Sequence, residues 1–212
     1  MTASGTRSIP ARPASAPGVA TTSRTVLGPR LTRSFYARPT AQVARDLLGK
    51  TLVYDGPQGR RVARIVEVEA YLGARDPASH AYRGPTPRTA PMFGQPGRSY
   101  VYFVYGMYHC LNVVTEAHGV AGAVLLRGAE PILGLGEDPR GLAGPGKLAR
   151  AFGLTTAQTD LDLLHSPLSI RDAPPVRASR IRRAARVGLS QHATTEKPWR
   201  FLVRGSPGVS RP

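Results

Sequence analysis

The stretch IVEVEAY at residues 65–71 decides the fold. From Val66 onward, small apolar residues alternate with glutamate and tyrosine, which predicts a β-strand whose successive side chains point to opposite faces. One face then carries Glu67, Glu69 and Tyr71, whereas the other carries two valines and an alanine. If the apolar face packs on the core, two carboxylates and an aromatic ring share the opposite surface. The alternative is an edge strand whose glutamates are solvated.

Segments rich in β-branched and aromatic residues surround this strand and predict the rest of a sheet. The strand is expected over residues 62–71, and residues 51–54 precede it across an Asp-Gly-Pro turn region, so the two form a hairpin. Further strands are predicted at residues 99–105, 109–115, 121–127 and 199–203.

Two short helices are predicted beside the sheet. Thr40 is expected to cap a helix that stops at Gly49. Residues 145–152 form the second helix, with a proline in its first turn and Gly153 as its stop signal. The 23 glycines and 20 prolines of the chain indicate long connections. The expected fold class is α+β: a single compact domain with a curved, largely antiparallel sheet, short helices and long ordered loops.

Charge and composition divide the chain of 212 residues into a tail and one domain. It holds 29 Lys and Arg against 13 Asp and Glu, a net charge of +16 that indicates nucleic acid as a partner. Residues 1–30 are mostly small residues and proline, with too few large apolar side chains to fold. We therefore predict a disordered basic tail at residues 1–30 and a folded domain at residues 31–212. An organelle transit peptide is the alternative for the tail, although prolines interrupt it and no amphipathic period is present.

Several classes of protein are excluded by what the sequence lacks. No apolar run approaches the ~18 residues that a membrane-spanning helix needs. The single cysteine excludes a disulfide scaffold and makes a reducing compartment, the cytoplasm, the default. No histidine spacing is typical of a metal site, so no metal and no cofactor are expected.

One glycine-rich segment almost matches a nucleotide-binding motif. Residues 141–147 have the spacing of a phosphate-binding loop, but Leu148 stands where that loop needs the hydroxyl that holds magnesium. Lys147 at a helix N-terminus suits a phosphate of any origin, and the alternative is a solvated lysine.

A cluster of tyrosines follows the glutamate strand. Four of the eight tyrosines lie within nine residues, at positions 100, 102, 105 and 108, and they precede the single asparagine, Asn112. Tyrosines in sheets most often pack in the core, yet with arginine they also form surfaces that hold unpaired bases. Composition alone leaves both interpretations open.

The chain resembles the alkyladenine (3-methyladenine) DNA glycosylase family from about Ser34 to Val209. The resemblance rests on the order and spacing of these blocks: IVEVEAYLGARDPASHAYRG (65–84), TPR (86–88), MFGQPGRSYVYFVYGMYHCLNVV (92–114), AVLLRGAEP (123–131), GPGKL (144–148), ARVG (185–188) and KPWRFLVRGSP (197–207). It implies a compact, single-domain α+β enzyme that flips damaged purines out of duplex DNA and hydrolyses their N-glycosidic bonds.

The matched blocks imply roles for individual residues. Glu69 matches the general base that activates water, and Arg127 matches the arginine beside it. The residues that would form the base-binding pocket are Tyr71, His80, Tyr102, Asn112 and Met92, of which Asn112 would oppose the 2-amino group of guanine. The residues that would contact DNA are the wedge Tyr105 and, at its flanks or on the backbone, Tyr108, Lys147 and Arg88. Gly208 departs from the pattern, since some members carry Trp there.

The chemistry of this reaction fits a single carboxylate. Loss of a base passes through an oxocarbenium-like centre, so one carboxylate below the sugar can activate water and stabilise the developing positive charge. Alkylation at N3 or N7 makes a purine a good leaving group, whereas hypoxanthine and ethenoadenine need help. The three lysines lie outside the Glu-Tyr cluster, so we expect a monofunctional enzyme that leaves an abasic site in an unbroken strand.

Two other functions remain open at this point. A non-catalytic, basic nucleic-acid-binding module with the same fold predicts substitution of Glu69 or Arg127, and both residues are present. A hydrolase of free nucleosides would not need the wedge tyrosine. The expected partner is double-stranded DNA that contains damaged purines, with no membrane. A monomer in the cytoplasm, associated with the nucleoid through DNA, fits this function.

Overall fold

Eight antiparallel strands form one curled sheet in the computed structural model, which describes residue 1, residues 27–189 and residues 197–211. The strands are β1 (Thr51–Gly56), β2 (Gly59–Tyr71), β3 (Ser99–Val104), β4 (Tyr108–Val114), β5 (Ala123–Leu133), β6 (Leu168–Arg171), β7 (Ile181–Ala184) and β8 (Arg200–Val203). Their order is β3-β4-β5-β2-β1-β6, and β8 pairs with both β2 and β7. The predicted α+β class with an antiparallel sheet is confirmed.

The longest strand, β2, lies at the centre of the sheet. It pairs with β5 along most of its length, with β1 at residues 59–64, and with β8 at residues 67–69. Both faces of its C-terminal half are buried, including Glu67 and Glu69. The alternative of an edge strand with solvated glutamates is therefore wrong.

Two opposed β-bulges interrupt the pairing of β2 with β5 beside the glutamates. Glu67 pairs with Gly128, Ile65 with Ala129, and Val68 with Leu126. Val66 is thus the extra residue on β2, and Arg127 is the extra residue on β5. A bulge re-aims the side chain that it carries, and here it brings the side chain of Arg127 to the carboxylates of β2.

Three α-helices of the described residues cover the sheet: α1 (Arg33–Tyr36), α2 (Thr40–Leu47) and α3 (Pro145–Phe152). The helix α3 has the predicted bounds, and Gly153 ends it in the left-handed region at φ +67°. The apolar faces of α2 and α3 share one core with Val66, Val68 and Ala70 of β2. The polar face of β2 is thereby directed away from this core.

The predicted cap of α2 is corrected by the structure. Thr40 is the first helical residue, and its side chain makes no capping bond within the helix. Instead, its backbone N–H and its hydroxyl both donate to the carboxylate of Glu116, each at 2.8 Å. An acidic group at a helix N-terminus is favourable for the macrodipole. Glu116, from a distant loop, therefore caps the helix, a role that the sequence had suggested for Thr40.

Two short strands, β6 and β7, were not predicted from the sequence. Each has four residues and contains arginine, so neither shows a long β-branched run. The strand β6 pairs with β1, and Arg30 forms a β-bridge with Arg171 of β6. The packed chain therefore begins before residue 31, whereas residues 2–26 of the predicted tail lie outside the described residues.

Candidate active site

A cavity of about 590 Å³ opens over the polar face of the sheet. Seven of the residues predicted for the site line it: Tyr71, His80, Met92, Tyr102, Tyr105, Asn112 and Arg127. These residues come from β2, β3, β4, β5 and two loops, so only the folded sheet brings them together. Glu69 is fully buried and lies behind Tyr71 and Arg127, to which it is hydrogen-bonded.

The carboxylate of Glu69 is held on both oxygens. The backbone N–H of Val187 donates to Oε1 at 2.7 Å, and the Tyr71 hydroxyl donates to Oε2 at 2.9 Å. Arg127 lies farther away, with Nε 3.4 Å from Oε1 and Nη1 3.5 Å from Oε2. The two uncharged donors, Val187 and Tyr71, therefore orient the carboxylate without neutralising its charge.

Burial controls the basicity of Glu69. Loss of solvent raises its pKa above the ordinary value, although Arg127, the Val187 N–H and the Tyr71 hydroxyl each oppose this shift. The neighbouring Glu67 adds to the rise. A carboxylate with a raised pKa is a stronger base than one in water, which suits it to accept a proton from a water molecule.

Arg127 lies between two buried carboxylates. Its Nε atom is 3.4 Å from Oε1 of Glu67 and 3.4 Å from Oε1 of Glu69. Arg200 of β8 contacts the same oxygen of Glu67, with Nη1 2.8 Å from Oε1. We call Glu67, Glu69, Arg127 and Arg200 the buried charge cluster. Two acids and two arginines balance formally, as buried charges must.

Aromatic side chains form the walls of the cavity. His80 and Tyr102 meet edge to face, with ring centroids 4.7 Å apart, and Tyr100 adjoins Tyr102 at 5.5 Å. Burial and the nearby Arg88 lower the pKa of His80, which favours the neutral ring. Aromatic faces with a neutral imidazole suit a planar, electron-poor ligand.

Asn112 is buried in β4 and fixed by the backbone. Its Nδ2 atom donates to the carbonyl oxygen of Tyr100 at 3.1 Å and to that of Cys110 at 3.4 Å. The side chain therefore has one orientation in the wall of the cavity. Met92, also buried, belongs to a small apolar cluster with Tyr100 and Val114 that supports the same wall.

An exposed hairpin stands at the rim of the cavity. We call residues 103–108, the connection between β3 and β4 with its flanks, the hairpin tip. Tyr105 is 76% exposed and has a φ of +55°, a left-handed conformation that is uncommon for a bulky residue. Phe103, Met107 and Tyr108 are exposed beside it. Exposed apolar side chains on a strained turn indicate a contact surface.

The remaining predicted DNA contacts lie outside the cavity lining. Arg88 is exposed, with its guanidinium 5.5 Å from the Tyr102 ring centroid, and it donates to the Phe103 carbonyl at 3.3 Å. Lys147 is exposed near the start of α3, where its Nζ lies 3.4 Å from the Arg140 carbonyl oxygen. The Tyr108 ring packs closely against Gly146. These residues form the surroundings of the cavity mouth.

Five polar or hydrogen-bonding residues that shape the site were not predicted: Glu67, Arg186, Val187, Arg200 and Ser210. Arg186 is fully buried, pairs with Asp76 at 2.5 and 2.7 Å, and stacks on Tyr71 with its guanidinium 4.6 Å from the ring centroid. The strand alternation had placed Glu67 on the same face of β2 as Glu69 and Tyr71. The others lie 116 or more residues from their partners on β2. The block ARVG (185–188) marked Arg186 and Val187 as part of the resemblance, but nothing in the sequence indicated that they contact β2.

The described residues contain neither a metal-binding cluster nor a membrane-spanning helix. No group of three or more His, Cys, Asp or Glu side chains is placed to hold a metal ion in this part of the chain. None of its helices is long and apolar enough to cross a membrane.

Known proteins resemble this chain over almost all of its folded length. The family model of methylpurine-DNA glycosylase matches residues 34–207, which include every strand of the sheet. A protein of Anaeromyxobacter dehalogenans, named "Putative 3-methyladenine DNA glycosylase", is 51% identical over 185 residues, which is 86% of each chain.

Two further relatives carry the same name. The protein of Myxococcus xanthus is 48% identical and covers 85% of this chain and 93% of its own. That of Methanocella arvoryzae is 47% identical and covers 86% of this chain and 96% of its own. The resemblance to the 3-methyladenine glycosylases is thus confirmed. The chain belongs to the methylpurine-DNA glycosylase family, as a DNA glycosylase of alkylated bases that acts in DNA repair.

Proposed function

We propose that the protein excises damaged purines from double-stranded DNA by hydrolysis, with Glu69 as the general base. The lesions that we assign to it are 3-methyladenine, 7-methylguanine, hypoxanthine and ethenoadenine. The observation that carries this proposal is the buried carboxylate of Glu69, held by Tyr71 and Val187 directly behind an aromatic cavity.

Capture of the lesion comes first. A damaged purine rotates out of the duplex and enters the cavity between Tyr71, His80 and Tyr102, while Tyr105 fills the space that it leaves. Stacking contributes ~1–3 kcal/mol per base, which offsets the few kcal/mol that flipping costs. Asn112 lies in the wall with a fixed orientation, so it can oppose the 2-amino group of an undamaged guanine.

Hydrolysis then needs one water molecule. Glu69 accepts a proton from the water as its oxygen attacks C1′ of the deoxyribose and the bond from C1′ to the base breaks. Both oxygens of Glu69 already have donors, and the contacts of Arg127 are the longest of these. The attacking water therefore takes the place of a contact between Glu69 and Arg127, since these contacts are the longest that Glu69 makes. The electron pair of the broken bond leaves with the base. A base that carries a methyl group at N3 or N7 is cationic and departs neutral, whereas hypoxanthine and ethenoadenine take up a proton from a water or a hydrogen-bonding acid in the cavity as they depart.

The product is an abasic site in an unbroken strand. Cleavage of the strand would need an amine that attacks C1′, and none of the described lysines lines the cavity. Lys50 is paired with Asp172 at 2.6 Å, Lys197 lies over the Trp199 ring, and Lys147 is on α3. This supports a monofunctional enzyme.

The rest of the chain has a part in the same proposal. The glycosylase domain begins near residue 27, where the packed chain begins, and the basic residues that precede it add attraction to phosphate without shaping specificity. We assign the enzyme to the cytoplasm, where it works at the nucleoid as a monomer.

An excision assay tests this function. Duplexes with one hypoxanthine or one 7-methylguanine are incubated with the protein, and abasic sites are scored by alkaline cleavage. Glu69→Gln is the matched control, because it keeps the shape of the side chain and removes the base. We expect product from the wild type and none above background from the variant. Tight binding without product from any lesion would favour the non-catalytic binding module.

A further inference from the structure

Glu67 is the most heavily bonded acid of the buried charge cluster, although the mechanism above does not use it. Its Oε1 accepts from Arg200 Nη1 at 2.8 Å, from the Ser210 hydroxyl at 3.0 Å and from Arg127 Nε at 3.4 Å. Its Oε2 accepts from the Ser210 backbone N–H at 2.6 Å. The side chain is fully buried, so these protein groups replace all of its hydration.

Arg127, in contrast, is held loosely. Its closest contacts are 3.3 Å to the Ser210 hydroxyl and 3.4 Å to each of the two carboxylates. Charge-assisted hydrogen bonds to carboxylates are usually ~2.7–2.9 Å long. The guanidinium therefore lies between Glu67 and Glu69 without closing on either, and its position depends on the pull from both sides.

The C-terminal segment, residues 208–211, reaches this cluster because two glycines permit it. A Cβ atom on Gly128 would overlap the carbonyl oxygen of Gly208, and one on Gly208 would overlap that of Ala129. The segment thus lies directly on β5. This close approach sets Ser210 against Glu67, and the Arg211 carbonyl accepts from Arg200 at 2.7 Å.

Resting on the proposed function, we propose that Glu67 is a positioning residue, which Ser210 fixes in place and which holds Arg127 off Glu69 during hydrolysis. Without the charge of Glu67, Arg127 is drawn towards the one carboxylate that remains beside it. It then occupies the place at Glu69 where the attacking water must bind. The C-terminal segment thus contributes to the active site, because its Ser210 fixes Glu67.

The charges around Glu69 predict how this shows in the pH dependence of the reaction. The titratable and charged groups near it are Glu67 and Tyr71 on β2, Tyr102 on β3, Cys110 on β4, Arg127 on β5, Arg200 on β8 and, beside Val187, Arg186 with its partner Asp76. Glu67 raises the pKa of Glu69 and Arg127 lowers it. Removal of the Glu67 charge therefore lowers the pKa of Glu69, so the acid limb of the rate profile moves to lower pH.

The test compares Glu67→Gln and Ser210→Ala with Glu130→Gln as a matched control. Glu130, on β5, accepts from Ser206 at 2.6 Å and so also ties down the chain before the C-terminal segment, but it does not contact Arg127. Single-turnover excision of 7-methylguanine is measured at saturating enzyme across pH, together with the Kd for the same duplex.

We expect Glu67→Gln to slow excision by up to about 100-fold, to leave the Kd nearly unchanged and to move the acid limb to lower pH. Ser210→Ala should also slow excision and move the acid limb to lower pH, but by smaller amounts than Glu67→Gln. Glu130→Gln should match the wild type. A merely structural role for Glu67 would reduce the folded fraction and leave the acid limb where it is.

Other outcomes overturn the proposal. An unmoved acid limb in Glu67→Gln, or a rate equal to that of the wild type, rules out positioning. If Glu67→Gln does not fold, Ser210→Ala decides, and an unchanged rate and limb in that variant overturn the proposal. If the wild type excises nothing, the proposed function fails, while carboxylate ¹³C NMR of Glu69 without DNA still shows whether Glu67→Gln lowers the pKa of Glu69.

Discussion

The buried charge cluster and the hairpin tip face one cavity but are built in opposite ways. In the cluster, each carboxylate is fully buried and bonded to groups from distant parts of the chain. At the tip, Tyr105 and Met107 are exposed, and Tyr105 has a left-handed backbone. A fixed, enclosed carboxylate suits chemistry, whereas an exposed apolar turn suits capture of DNA. The difference indicates that binding and hydrolysis can be removed separately.

The largest expected effect comes from the buried side of this comparison. Glu69→Gln should lower single-turnover excision by about 10²- to 10⁴-fold, the usual contribution of a general base. The Kd for lesion-containing duplex should change little, because glutamine keeps the shape of the side chain and the aromatic walls of the cavity stay unchanged. Rapid-quench excision and fluorescence anisotropy measure the two quantities. Normal turnover of 3-methyladenine by this variant would remove Glu69 from the mechanism.

The hairpin tip should show the reverse pattern. Tyr105→Ser should weaken binding to a lesion-containing duplex by about 1–3 kcal/mol, the range of a stacking contact. Once the enzyme is saturating, excision should proceed at nearly the wild-type rate. Met107→Ser, which removes another exposed side chain of the same tip, serves as the control. Equal binding by Tyr105→Ser and the wild type would contradict the wedge assignment.

The thermal stability of variants should also differ between the buried charge cluster and the hairpin tip, by a smaller amount. Burial raises the pKa of Glu69 in the folded protein, so its ionisation opposes folding. This destabilisation is absent below the ordinary glutamate pKa of 4.5 and grows as pH rises through the folded-state pKa. Glu69→Gln should therefore be more stable than the wild type at neutral pH by roughly 1 kcal/mol, or about 2–4 °C.

Calorimetry at acidic and neutral pH measures this difference in Tm. The two proteins should converge in acid, where Glu69 is protonated in both the folded and the unfolded chain. The matched control is Tyr105→Ser at the exposed tip, which should show no pH-dependent gain. A Glu69→Gln variant that is less stable at neutral pH would mean that the ion pair with Arg127 outweighs the burial of the charge.

The smallest effect concerns the basic tail. Removal of residues 1–26 takes away three arginines, so the plot of log K against log salt should become shallower by at most about 3, since each phosphate contact contributes ~0.9. Single-turnover excision at saturating enzyme should be unchanged. Nitrocellulose filter binding over a salt series measures the slope. A large loss of excision would show that the tail does more than attract DNA.

Local patterns predicted much of the sheet. The alternation in β2 placed Glu67, Glu69 and Tyr71 on one face, and the structure has them there, because strand periodicity depends only on neighbouring residues. The helix α3 was equally readable from Pro145 and Gly153. The four-residue strands β6 and β7 were not, since they depend on partners elsewhere in the sheet.

The site residues that lie within one block of sequence could be predicted. The contacts between distant segments could not. No spacing indicates that Arg127 is the extra residue of a bulge, because a bulge is a relation between two strands. The Val187 N–H at Glu69 and Ser210 at Glu67 are 118 and 143 residues from their partners. Likewise, Glu116 reaches the start of α2 from 76 residues away and displaces the predicted cap.

The approach of the C-terminal segment to β5 has a practical consequence for work with this enzyme. Arg211 lines the cavity, so an affinity tag fused beyond it would start at the mouth through which DNA must enter. The other end of the described chain enters the fold at β6, the far end of the strand order from the hairpin tip. We therefore expect a tag fused directly after Arg211 to hinder access to the cavity and to lower the measured activity.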